Sequence, residues 1–236
     1  MAIKKHIPNT ITCCNLFSGC IACVMALQGC YTTALLFIVI GAVFDFFDGM
    51  VARLLKVSSP LGLQMDSLAD DITFGLAPAA IVFSFLGTLS LPAFLLPVAE
   101  FFPYTAFLIA VFSALRLAKF NIDTRQKSTF LGLPTPANAL FWASLVAGLG
   151  SWIAELNAGW LFMLGLILLF SYLLVSDIPM FSLKFKSLRW RSNKIRYIFL
   201  IFTLPMLFCG IAAAVAIISW YLVLSVALYI RKNRKA

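Results

Sequence analysis

Apolar runs of helical length, separated by short polar clusters, make up most of this chain. Eight of them are long enough to be candidate membrane spans: residues 11–28, 33–55, 67–87, 103–119, 135–151, 158–176, 196–209 and 211–230. A spanning helix needs roughly 20 mainly apolar residues, and these runs lack the period-two alternation of barrel strands. Backbone groups in lipid must pair within helices or closed barrels, so the pattern predicts an all-α, polytopic integral membrane protein. The seventh run is short, and Gly210 is expected to turn it into the eighth as a tight hairpin. Residues 54–65 read as the turn between the second and third spans.

Composition agrees with the pattern. Of 236 residues, 62% are hydrophobic and 11% charged, far from the roughly 45–50% apolar usage of soluble domains. The net charge of +9 looks at first like a nucleic-acid signal, but its distribution argues otherwise. With eight spans and a cytoplasmic N-terminus, all 18 Lys and Arg residues fall on or near one side. They are Lys4, Lys5, Arg53, Lys56, Arg116, Lys119, Arg125, Lys127, the cluster from Lys184 to Arg196, and the tail from Arg231 to Lys235. The opposite loops (29–32, 88–102, 152–157 and 210) carry none. This positive-inside pattern predicts both termini in the cytoplasm, and the basic collar suits anionic membrane lipids. No nucleic-acid partner is expected.

Six cysteines include Cys20-Ile-Ala-Cys23, a pair within an apolar run that lacks a second pair of ligands. They read as small buried side chains rather than a zinc site. Trp160, Trp190 and Trp220 read as interfacial anchors.

Polar chemistry is concentrated in one place: five of the nine acidic residues lie between 45 and 71. Carboxylates in a lipid-embedded segment mark a functional site by default. At about 100° per residue, Asp45 and Asp48 share one helix face with Gly49, Ala52 and Arg53. Asp66 and Asp70, four apart, share a face of the next helix. A tight turn would bring the two acidic faces together. Carboxylates converging at low dielectric repel unless a cation sits among them, and hard oxygen ligands select Mg²⁺, Mn²⁺ or Ca²⁺ over zinc. Gly49, Ala52 and Gly62 leave clearance for a bulky ligand, and Arg53 can pair with its phosphate. The competing reading is an ion path through a transporter, which leaves those three small residues unexplained.

The full spacing, Asp45-x2-Asp48-Gly49-x2-Ala52-Arg53-x8-Gly62-x3-Asp66-x3-Asp70, resembles the signature of the CDP-alcohol phosphatidyltransferase family. The resemblance implies a membrane enzyme with a six-helix core, usually a homodimer, whose cavity opens to the cytoplasm. It implies that Asp45, Asp48, Asp66 and Asp70 bind one or two divalent cations, Mg²⁺ or Mn²⁺. It also implies that Gly49, Ala52, Arg53 and Gly62 hold the cytidine diphosphate portion and that Asp70 is the general base.

Three more segments resemble the serine-transferring members of that family: Pro8-Asn9-x2-Thr12, Arg116-Leu-Ala-Lys119-Phe-Asn121, and Phe130 to Ala139. The implied substrates are CDP-diacylglycerol and L-serine. Asn9, Thr12 and Asp48 join the residues that hold CDP-diacylglycerol, and Arg116, Lys119 and Asn121 are the candidates for serine. Glycerol 3-phosphate or an inositol phosphate is the alternative acceptor, with Arg125 and Lys127 as possible extra cations. Asp71 points about 100° away from Asp70; it could contact the serine ammonium, but pairing with a nearby basic residue is the expectation. The organisation expected is a catalytic membrane core over 1–180, then a basic loop and C-terminal hairpin over 181–236.

Overall fold

The computed structural model describes residues 2–123, 130–181 and 190–233. Arg125, Lys127, Lys184, Lys186, Arg189, Arg234 and Lys235 lie outside the described residues. Among the described residues the regular structure is helical apart from one two-stranded ribbon. Its helices are α1 (Ala2–Leu27), α2 (Tyr31–Leu55), α3 (Pro60–Asp70), α4 (Ala77–Leu86), α5 (Leu108–Ile122), α6 (Thr135–Glu155), α7 (Gly159–Val175), α8 (Trp190–Met206) and α9 (Ala213–Asn233). Among the described residues, six helical stretches are long and apolar enough to cross a membrane. The last of them, Asn193–Arg231, is broken at Gly210, whose φ of 60° and ψ of −130° are open to glycine. Helix α7 is apolar but shorter.

The architecture is thus the all-α membrane bundle that the hydropathy pattern predicts. Large apolar side chains such as Phe17, Leu36, Val43 and Phe46 point outward, where a soluble protein would be polar. The most enclosed elements are α4 and α6, whose Ile81, Trp142 and Ile153 have essentially no exposure.

Rings of α8 and α9 meet as Phe202 with Trp220 and Phe199 with Tyr221, an antiparallel pairing about Gly210 that matches the expected hairpin. It docks on α6, where a Cβ added to Gly148 would stand 2.9 Å from the backbone nitrogen of Ala212. Ser144 also donates a hydrogen bond to the Ile211 carbonyl.

Three expectations need correction. The turn between the second and third spans is shorter than 54–65, because α2 runs to Leu55 and α3 starts at Pro60. Lys56 takes the left-handed conformation (φ 53°) that ends α2. The Ser59 hydroxyl accepts from the Gly62 amide at 3.0 Å and Pro60 fills the first helical position, the usual chemistry of a helix start. The cysteines are not buried: Cys13, Cys20, Cys30 and Cys209 are exposed, since the outer face of a membrane helix is where an apolar thiol is tolerated. The Trp160 ring packs against Phe94 and Phe102. Asp71 has no basic partner among the described residues. Its buried Oδ1 lies 2.7 Å from where a Cβ on Gly75 would be, with Ser113 of α5 alongside.

Between α3 and α4 the backbone makes a π-turn over Asp71–Leu76. Such turns insert an extra residue into the helical phase and are frequent at functional sites. Here the turn begins directly after Asp70.

Candidate active site

The short turn from Lys56 to Ser59 reverses the chain between α2 and α3, and α1 packs against both. Asp45 and Asp48 of α2 and Asp66 of α3 thereby meet, each offering a carboxylate oxygen within 4.8 Å of the other two. Asp48 is only 6% exposed, and Asp45 and Asp66 are half-buried. From α1, the Thr12 hydroxyl donates to Asp48 Oδ2 at 2.7 Å, fixing the carboxylate's rotation. Three hard, half-desolvated oxygen donors at this separation suit a divalent cation of the Mg²⁺ or Mn²⁺ type.

Beside the triad lies a cavity of about 220 Å³ lined by Asn9, Thr12, Asp48, Gly49, Ala52, Ser59, Gly62 and Asp66, among others. Gly62 is required by close packing as well as by clearance. A Cβ there would stand 2.9 Å from Asn9 Oδ1 and 3.1 Å from Ser59 Oγ. Asn9 is therefore seated against bare backbone. Arg53 lies over Gly49, with Nη1 3.9 Å from the position of a Cβ on that glycine. The wall thus presents an amide, the hydroxyls of Thr12 and Ser59, a guanidinium nearby and three residues with little or no side chain.

Asp70 stands apart from the triad, within electrostatic range of Asp45 and Asp66. Its Oδ1 accepts from the Asn15 side-chain amide of α1 at 3.2 Å. Arg116 of α5 is only 7% exposed, lies within electrostatic range of Asp70 and stacks over the Phe120 ring at 5.4 Å.

Arg116 and Lys119 line a second, cramped cavity of about 10 Å³ with Asp123, Leu131, Leu174, Val175, Ser176 and Asp177. The Lys119 ammonium donates to the Val175 carbonyl at 2.9 Å. One wall belongs to the strand Phe130–Leu131, paired antiparallel with Pro179–Met180. Gly132 permits this approach: its φ is 73° and a Cβ would stand 2.5 Å from the Leu174 carbonyl oxygen. Asn121 is not part of this cavity, because its amide donates to Ser67 Oγ of α3 at 2.8 Å.

Three features escape the sequence pattern: Asn15, which reads as one polar interruption of an apolar run, and Asp123 and Asp177, which lie more than fifty positions apart in the chain and meet only in the fold.

A family model for CDP-alcohol phosphatidyltransferase matches residues 5–230. A CDP-diacylglycerol–serine O-phosphatidyltransferase of Helicobacter pylori is 31% identical over 240 residues, covering 97% of this chain and 96% of its own. Enzymes of the same name from Bacillus subtilis (37% over 132 residues, 56% of this chain and 70% of that one) and Mycobacterium tuberculosis (34% over 187 residues, 74% and 60%) are also similar.

Proposed function

The chain belongs to the CDP-alcohol phosphatidyltransferase family, and from that premise we propose that it transfers the phosphatidyl group of CDP-diacylglycerol to L-serine, giving phosphatidylserine and CMP. The observation that carries this reading is the meeting of Asp45, Asp48 and Asp66 beside a cavity walled by Asn9, Thr12, Gly49, Ala52 and Gly62.

Asp45, Asp48 and Asp66, with Asp70 adjoining, would hold Mg²⁺ or Mn²⁺, which when bound would neutralise the pyrophosphate and the charge developing on the departing CMP oxygen. The cytidine diphosphate lies over Gly49, Ala52 and Gly62, positions where a larger side chain would fill the space. Asn9 and Thr12 line the same wall, and Arg53 pairs with phosphate. The acyl chains remain between helices in the bilayer.

Serine's hydroxyl oxygen attacks the lipid-linked phosphorus, the bond from that phosphorus to the CMP oxygen breaks, and Asp70 takes the hydroxyl proton. A carboxylate is a weak base for an alcohol, so positioning and charge stabilisation supply most of the acceleration. Serine's carboxylate falls to Arg116 and Lys119, and Asp123 and Asp177 offer counter-charge for its ammonium. The cavity there has room for about one water, so serine must open it, exchanging the Lys119–Val175 bond for one to its own carboxylate. Asn121 contributes from outside, through its bond to Ser67 on the metal-bearing helix.

The site sits at the helix ends that carry Arg53, Lys56, Arg116 and Lys119, which supports a cytoplasm-facing active site in the cell membrane. The reading includes eight spans, cytoplasmic termini, anionic lipids around the basic collar and a homodimer, with a catalytic core over 1–180 and a basic loop and hairpin over 181–236. The test is CMP release by purified protein in detergent with CDP-diacylglycerol and Mn²⁺ or Mg²⁺. Release that requires serine and stops on chelation is the expected result. Release without serine, or unaffected by chelator, contradicts the proposal.

A further inference from the structure

A buried polar cluster lies under the carboxylates, where α1, α2 and the π-turn pack with almost no side chain between them. Asn15 is its centre, with no exposure at all. Its Nδ2 donates to Asp70 Oδ1 at 3.2 Å, while its own Oδ1 is buried without a hydrogen-bond partner. That Oδ1 lies 2.9 Å from the place a Cβ on Gly41 would take. Thr73 in the π-turn donates to the Asn15 backbone carbonyl at 3.1 Å. A Cβ on Gly19 would overlap the Thr73 hydroxyl, so the two backbones approach as closely as glycine allows.

An amide with one end unsatisfied is a poor way to stabilise a helix contact, since an apolar side chain of the same shape avoids the desolvation cost. The satisfied end is the one aimed at Asp70. We infer that Asn15 is a positioning residue for Asp70: it holds Oδ1, sets the carboxylate's rotation and leaves Oδ2 to receive the hydroxyl proton of the acceptor. The π-turn serves the same end, because it begins at the next residue and brings Thr73 onto the α1 backbone that carries Asn15. This inference rests on the proposed role of Asp70.

Asn15→Leu keeps the side-chain shape and removes the donor, and Asn15→Asp keeps the shape with an acceptor in place of the donor. Both are assayed for CMP release with CDP-diacylglycerol, serine and Mn²⁺, for KM of each substrate and for thermal unfolding in detergent. Expected is a kcat loss of roughly 10- to 100-fold in each, with KM for CDP-diacylglycerol within about twofold of wild type. The unfolding temperature of Asn15→Leu should be unchanged or raised. A kcat within about twofold of wild type in either variant overturns the inference, as does an activity loss matched by a fall in unfolding temperature. Should Asn15→Leu fail to fold, the same criteria apply to Asn15→Asp. Failure of the proposed function shows separately, as wild-type protein that releases no CMP with serine.

Discussion

The cavity between α1, α2 and α3 and the cavity between α5 and the end of α7 share one end of the bundle but differ in construction. The first is roomy, about 220 Å³, and its walls come from residues within a 60-residue stretch of chain. The second is closed to about 10 Å³, and its charged residues come from as far apart as Arg116 and Asp177. In the first, small residues make space and carboxylates gather on one point. In the second, two cations and two carboxylates line one cramped space, with Lys119 bonded to Val175. Under the proposed function, the difference matches what each would recognise. A pyrophosphate and its cation are large, highly charged and common to every reaction of this family. A zwitterionic amino acid is small, and is told from a phosphorylated alcohol by the balance of its two charges.

The comparison breaks most sharply at Asp48. Asp48→Asn removes a buried member of the triad and the partner of Thr12, and turnover should fall to background with loss of metal-dependent nucleotide binding. Isothermal titration with CDP-diacylglycerol and Mn²⁺ checks the second part. Asp70→Asn comes next, with turnover reduced roughly 10²- to 10⁴-fold, the range for loss of a general base. It should keep CDP-diacylglycerol binding, and equal loss of both would make Asp70 chiefly a metal ligand. On the acceptor side, Arg116→Leu should raise KM for serine roughly 10- to 100-fold, as expected for a lost charged hydrogen bond. KM for CDP-diacylglycerol should stay unchanged, and a parallel rise in both would dissolve the division between the cavities. Smallest is Gly62→Ala, whose added methyl meets Asn9 and Ser59. It should raise KM for CDP-diacylglycerol by roughly two- to tenfold, the scale of a modest overpacking strain, and leave KM for serine alone.

The donor side was largely legible in the sequence. Asp45, Asp48, Gly49, Ala52 and Arg53 lie on one helix, and only a short turn separates them from Gly62 and Asp66, so helical periodicity brings them together. The bundle was legible for a similar reason, since the bilayer demands long apolar helices whatever their packing. The second cavity was not, because Asp177 joins Arg116 in its lining only after α6, α7 and the ribbon at Gly132 have folded. The start of α3 at Pro60 was obscured by polar residues that cap a helix yet look like a loop. The π-turn has no local signature, because it forms where Thr73 and Gly75 pack against α1 and α5. Asn15 and Asp70 are separated by 55 positions, and nothing in an apolar run announces that one polar residue faces a carboxylate on another helix.

The most direct test of the central claim, that this site gives its phosphatidyl group to serine, is a single competition. Purified protein receives CDP-diacylglycerol, Mn²⁺ and equal concentrations of serine, glycerol 3-phosphate and inositol 1-phosphate, and the lipid product is identified by mass. Phosphatidylserine as the dominant product is the predicted result. A phosphorylated phosphatidylglycerol or phosphatidylinositol in its place would contradict it.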